Sequence, residues 1–215
     1  MTSTGIAIGK SIAALTTGSC LAAALFVSVT ALRGGHAQQS AAAAPISAQP
    51  VSGQRLFYPV GRLPRISLPD GRIETIHSVL NIGTPMRYGN SRWDDANVPQ
   101  GPVWVRVDLT HQLLTVFRAG HEIGTSVILY GAADRQSPTG TFPVLEKAED
   151  YHSRTYDAAM PYSLRLTADG VAIHGADVRR GAATHGCIGV PTDFARRLFA
   201  EVKLGDPVVI MQSTS

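Results

Sequence analysis

Residues 101–145 read as short apolar runs of strand period separated by turn chemistry, and that pattern restricts the chain to a mainly β architecture. Val103, Val105, Val107 and Leu109 recur at every second position, as in a strand buried on one face. Further apolar runs at 113–117 and 123–130 are split by Arg118-Ala119-Gly120. Ser137-Pro138-Thr139-Gly140 is a turn by its chemistry, because Pro fixes one dihedral and Gly tolerates positive φ. Strands are expected at 141–145, 164–166 and 171–174. Helical period occurs at 192–202, where Phe194, Leu198 and Val202 stand four apart and Gly205 ends the run. The expected fold is mainly β with one or two short helices.

Ahead of this domain the composition changes twice. Residues 11–32 carry no charge, Lys10 precedes them, and Gly35-His36-Ala37 offers small residues for a signal peptidase. Residues 1–37 are therefore expected to be a signal peptide. The alternative is a membrane anchor through 11–32, since about 20 residues span a bilayer. Richness in Ala, Ser, Thr and Gly makes the segment a weak membrane solvent, which favours cleavage. Either way the domain is exported, to the periplasm or another wall-facing compartment. Residues 38–54 hold Ala, Gln, Ser and Pro with too little apolar bulk to fold, and read as a tether. Residues 55–100, rich in Pro and Gly, are expected to form an arm packed on a domain spanning 101–212.

Net charge argues against nucleic acid as a partner. The chain has net charge +3, but Lys10 and Arg33 belong to the leader; without them 17 basic residues face 16 acidic ones. That balance lacks the concentrated basic face such binding needs.

Of two cysteines, Cys20 falls in the leader, so the exported domain has a single thiol, Cys187, in Thr184-His185-Gly186-Cys187-Ile188-Gly189. A thiol without a disulfide partner in an exported protein turns attention to its reactivity. A cysteine is often simply a buried small hydrophobe. Here glycines lie within two residues on both sides, and His174, in Ile173-His174-Gly175, stands thirteen residues upstream. A histidine can take the thiol proton and return it to a leaving group. Gly186 leaves room for a substrate carbonyl and lets the amides of 186 and 187 point together as an oxyanion site. His185 is adjacent and expected to line the pocket. A zinc site from His174, His185 and Cys187 has acceptable ligand types, but it lacks close-spaced pairs and a fourth ligand. No metal and no cofactor are expected.

These residues resemble the L,D-transpeptidase catalytic domain over about 103–210. The similarity rests on the opening hairpin with Asp108 and Gln112, Ser137-Pro138-Thr139-Gly140-Thr141-Phe142 and Met160-Pro161-Tyr162. It continues through Ile173-His174-Gly175, Thr184-His185-Gly186-Cys187 and Gly205-Asp206-Pro207-Val208-Val209-Ile210. The paired His-Gly and Thr-His-Gly-Cys elements are the specific part.

The resemblance implies a β-sandwich or barrel domain with Cys187 as nucleophile and His174 as proton donor and acceptor. Gly175 would orient the imidazole through its carbonyl, and Gly186, His185, Thr184 and Gly175 would shape the pocket. Tyr162 and Met160 would touch substrate. The implied chemistry is attack on the third residue of a peptidoglycan stem, release of D-alanine and transfer of the thioester to an amine. Water as acceptor would make an L,D-carboxypeptidase, and a decayed site a wall-binding module. A cysteine peptidase places Cys before His, and a sortase separates His from Cys much further and adds a downstream Arg. Two departures from the family pattern stand out. The stretch between His174 and Cys187 is short, and Gly189 stands where Arg or Asn is common.

Overall fold

The computed structural model describes residues 49–50, 55–132 and 135–212. The expected leader, Cys20 and all of the expected tether but Gln49–Pro50 lie outside the described residues.

Along the chain come β1 (Gln49–Pro50), β2 (Arg55–Phe57), β3 (Arg65–Ser67), β4 (Ile73–Thr75), β5 (Ser78–Leu80) and β6 (Ser91–Trp93). The second half follows with β7 (Val103–Asp108), β8 (Leu113–Arg118), β9 (His121–Val127), β10 (Gly140–Pro143), β11 (Glu146–Ser153) and β12 (Ala158–Arg165). It closes with β13 (Ala172–Ala176), β14 (Ile188–Pro191), the helix α1 (Thr192–Glu201) and β15 (Pro207–Met211). Among the described residues one sheet has nine strands, in the order β1-β2-β5-β9-β8-β7-β15-β10 with β6 also on β9. A second has four, β11-β12-β13-β14, and β3–β4 form a separate pair.

The two larger sheets share one core, as layered β domains must to bury an apolar face from each. Val105, Val107, Leu114 and Ile210 from the first meet Leu164, Ile173 and Ile188 from the second, with Phe194 and Leu198 of α1 between them. Hairpin β8–β9 turns at Ala119 (φ 49°) and Gly120 (φ 77°), two consecutive left-handed residues of the kind that match the twist of the flanking strands.

Strand β7 departs from its expected half-burial: it is buried on both faces. Trp104 stacks on Phe117 at 4.5 Å, and Leu68 and Ile76 from the 55–93 region cover that pair. The alternation registered only one face because the covering residues lie far away in sequence. Strands β11 and β14 were not expected. β11 is charged and largely exposed, so it has no apolar period to display. β14 is only four residues long. The helix stops at Val202, whose extended backbone (ψ 146°) ends it, three residues before the expected Gly205.

Glu122 of β9 ties down β5 within the first sheet. Its carboxylate accepts the Leu80 N–H at 3.0 Å, and burial pushes its pKa up to about 7, against attraction from Arg55 and Arg106. A carboxyl that prefers to stay protonated when folded stabilises fully below its unfolded pKa. That contribution fades as pH climbs towards 7. Glu122→Gln is therefore expected to raise stability by roughly 1–3 kcal/mol above pH 7 and to gain little below pH 4.5. Urea midpoints at the two pH values check this, and an equal shift at both would contradict it.

Candidate active site

Strands β13 and β14 run parallel, with Ile173 opposite Ile188 and His174 opposite Gly189. Extending that register back by one residue sets Cys187 opposite Ala172. Side chains alternate across a strand, and Ile173, Ile188 and Val190 enter the core. Cys187, Ala172 and His174 therefore share the other face. Cys187 and His174 are diagonal neighbours there. The thiol rests 3.8 Å from the Gly170 carbonyl.

The His174 ring has a fixed tautomer. Its Nδ1 lies 2.9 Å from the Gly175 carbonyl, and because a carbonyl only accepts, Nδ1 carries the hydrogen. Nε2 then holds a lone pair. Burial lowers the His174 pKa, and the bond to Gly175 offsets part of this. Burial likewise pushes the Cys187 thiol up; the Ala172 amide and the Arg135 charge oppose that rise, while Asp169 adds to it. The resting pair is thus a neutral thiol and a neutral imidazole. Such a pair can move a proton when the sulfur attacks, without having been charged beforehand.

The loop before the cysteine is held at several points. Thr184 donates its N–H to Tyr130 and accepts from Ala132, both at 3.1 Å, and its hydroxyl donates to the Cys187 carbonyl. Gly186 takes φ +103°, and Arg135 Cγ lies only 3.7 Å from where a Cβ would stand. Gly175 is hemmed by Pro161 and Thr192, each 3.1 Å from its absent Cβ. Gly189 exchanges two backbone hydrogen bonds with Leu129, of 2.8 and 2.9 Å. A Cβ there would meet that of Ala176 at 3.0 Å, so the glycine departure has a packing reason.

The expected pocket residues separate. Thr184 is tied to the Cys187 carbonyl, the Gly175 carbonyl holds the His174 ring, and Gly186 directly precedes the thiol. His185 is exposed and stacks on Tyr156 at 4.4 Å. Tyr162, expected to touch substrate, instead lays its ring on Phe199 of α1 at 5.8 Å, on the core side. Its φ of 56° is positive, while the β11–β12 register runs unshifted on either side of it. Met160 is buried in β12 opposite Tyr151. Among the described residues no three metal-ligating side chains converge.

Two neighbours of the site escaped the sequence reading. Arg135 and Tyr156 belong to no motif, and a loop and a strand-end turn bring them to the cysteine. A cavity of about 110 Å³ opens beside Gly170 and Ala172, lined also by Ala148, Tyr151, Ser163 and Arg165.

The profile of the L,D-transpeptidase catalytic domain matches residues 102–210. No curated protein matches the chain. Among solved structures, an L,D-transpeptidase from Stackebrandtia nassauensis is similar at 24% identity and TM-score 0.49, covering 54% of this chain and 58% of that one. An L,D-transpeptidase from Mycobacterium tuberculosis H37Rv shares 22% identity at TM-score 0.48, covering 51% of this chain and 57% of its own length. An Enterococcus faecium L,D-transpeptidase C442S mutant shares 25% at TM-score 0.48, with coverages of 52% and 50%. The chain thus spans somewhat more than half the length of the first two of these structures, and half of the third.

Proposed function

The chain belongs to the L,D-transpeptidase catalytic-domain family, and on that premise we propose that it is a cysteine-dependent acyltransferase of peptidoglycan stem peptides. The observation that carries the reading is the pairing on the β13–β14 face. A thiol and an imidazole lie diagonally, and the carbonyl of Gly175 holds the imidazole hydrogen at Nδ1.

In this reading His174 Nε2 takes the thiol proton as Cys187 Sγ attacks the carbonyl carbon of the third stem residue, a diamino acid. The amides of Gly186 and Cys187 receive the developing oxyanion. Collapse breaks the carbon–nitrogen bond, the proton on His174 passes to the departing amine, and D-alanine leaves a thioester on the sulfur. An amine of a second stem then attacks the thioester carbonyl. His174 accepts that amine's proton and returns it to the sulfur, which leaves an amide link between stems.

Incubation of the purified protein with tetrapeptide muropeptides tests this by mass spectrometry. The expected product is a dimer whose mass equals two monomers less one D-alanine. Tripeptide alone would make water the acceptor, and unchanged substrate would leave a wall-binding module. The mature chain is proposed to begin near residue 38 in the periplasm or an equivalent compartment. The charge-free 11–32 run motivates this, and N-terminal sequencing of exported material decides it: a membrane-bound chain beginning at Met1 would replace cleavage with anchoring.

A further inference from the structure

Beside the thiol, three side chains from separate stretches stack together. Tyr156, from the β11–β12 turn, lies on the His185 ring with 13° between the planes. Arg135, from the loop after Tyr130, donates from Nη1 to the Tyr156 hydroxyl at 2.7 Å, with its guanidinium carbon 5.9 Å from that ring's centroid. At its other end the Arg135 side chain passes over Gly186, the residue before the nucleophile. All three side chains are exposed, so the stack adds little to stability. Its physical effect is to fix the guanidinium on Tyr156, with the Cγ end of the same side chain against Gly186 and its charge felt at the Cys187 thiol.

That guanidinium is free to take an anion. Tyr156 is a neutral partner that occupies one of five N–H donors. Among the described residues no carboxylate lies within ion-pair distance of Arg135. Arg165, which lines the adjoining cavity, is by contrast bound to Glu146 at 2.8 Å. Asp169, on the same side, accepts from the Thr167 hydroxyl and feels the Arg135 charge without forming an ion pair with it. A planar fork with open donors beside a nucleophile suits a carboxylate, which it can grip with two parallel hydrogen bonds.

We propose that Arg135 is the carboxylate-binding residue of the acyl-donor site, pairing with a carboxylate of the peptide whose carbonyl Cys187 attacks. This rests on the reading of Cys187 as the acylated nucleophile. Two carboxylates of such a donor satisfy the chemistry: the C-terminal one on the leaving residue and the side-chain one on the diamino acid.

The test is a binding titration on the Cys187→Ala protein, with and without Arg135→Gln. Three tetrapeptides serve as probes: the diaminopimelate peptide ending in D-alanine, its C-terminal amide, and the analogue with lysine as third residue. Removing the recognised carboxylate should weaken binding about tenfold or more when Arg135 is present. Arg135→Gln should weaken the full acid by the same factor and leave the neutralised peptide unchanged. The peptide that loses affinity identifies the source, and Arg135→Lys should restore only part of it. Equal weakening of all three peptides by Arg135→Gln would mean a structural role and overturn the proposal. So would a carboxylate preference that survives the substitution, or no binding at all. Thioester formation by the unsubstituted protein is scored separately, so failure of the acyl-transfer reading is distinguishable from failure of this one.

Discussion

Cys187→Ala is expected to abolish acyl transfer, lowering turnover by on the order of 10⁴–10⁶-fold to the uncatalysed background. The thiol is the one free cysteine among the described residues, it is partly buried, and it sits opposite Ala172 on the face shared with His174. The Thr184 hydroxyl, by contrast, donates to the Cys187 carbonyl and is committed to the loop. Folding should survive, because the side chain leaves the core face to Ile188 and its polar contacts are few: a long approach to the Gly170 carbonyl and a hydrogen bond with the Ala172 backbone. Turnover with stem peptides, together with an unchanged unfolding midpoint, checks the prediction. Residual activity within tenfold of the parent would remove Cys187 from the chemistry.

The second large effect is at His174. Losing a general base costs about 10²–10⁴-fold in rate, and His174→Ala is expected to fall in that range. His185→Ala should lose less than about tenfold, since its ring lies exposed on Tyr156 instead of on the β13–β14 face. Acylation rates at matched folding separate the two, and a greater loss at His185 would reverse the assignment. The pH profile follows from the same burial. The working imidazole must be neutral, and its pKa is lowered, so the rate should hold to more acid pH than an ordinary histidine of pKa about 6.5 allows. It should drop only below that lowered value. An acid limb at or above pH 6.5 would show that a different, less buried group titrates.

The local geometry of the site was legible in sequence where residues close in the chain set it. His174-Gly175 lies in β13, Thr184-His185-Gly186-Cys187 leads directly into the adjacent parallel β14, and the expected carbonyl of Gly175 does hold Nδ1. Motif residues Asp108 and Gln112 proved to build the hairpin: Asp108 accepts the His111 N–H at 3.1 Å, and Gln112 turns with φ 56°. Tyr162 misled because a tyrosine in a motif gives no sign of which face it takes, and its ring meets Phe199 against the core. Arg135 and Tyr156 were invisible for another reason. Their partnership spans 21 positions and depends on a charged, exposed hairpin that has no periodic signature. Gly189 looked like a lost contact residue, whereas its close approach to Leu129 and Ala176 could be seen only with the strands assembled.

Intact-protein mass spectrometry during turnover of the tetrapeptide donor, followed by peptide mapping, tests the central claim most directly. The account predicts a single acyl adduct, equal in mass to the donor less D-alanine, located on Cys187 and absent from the Cys187→Ala protein. An adduct on another residue, or the same adduct on Cys187→Ala, would contradict it.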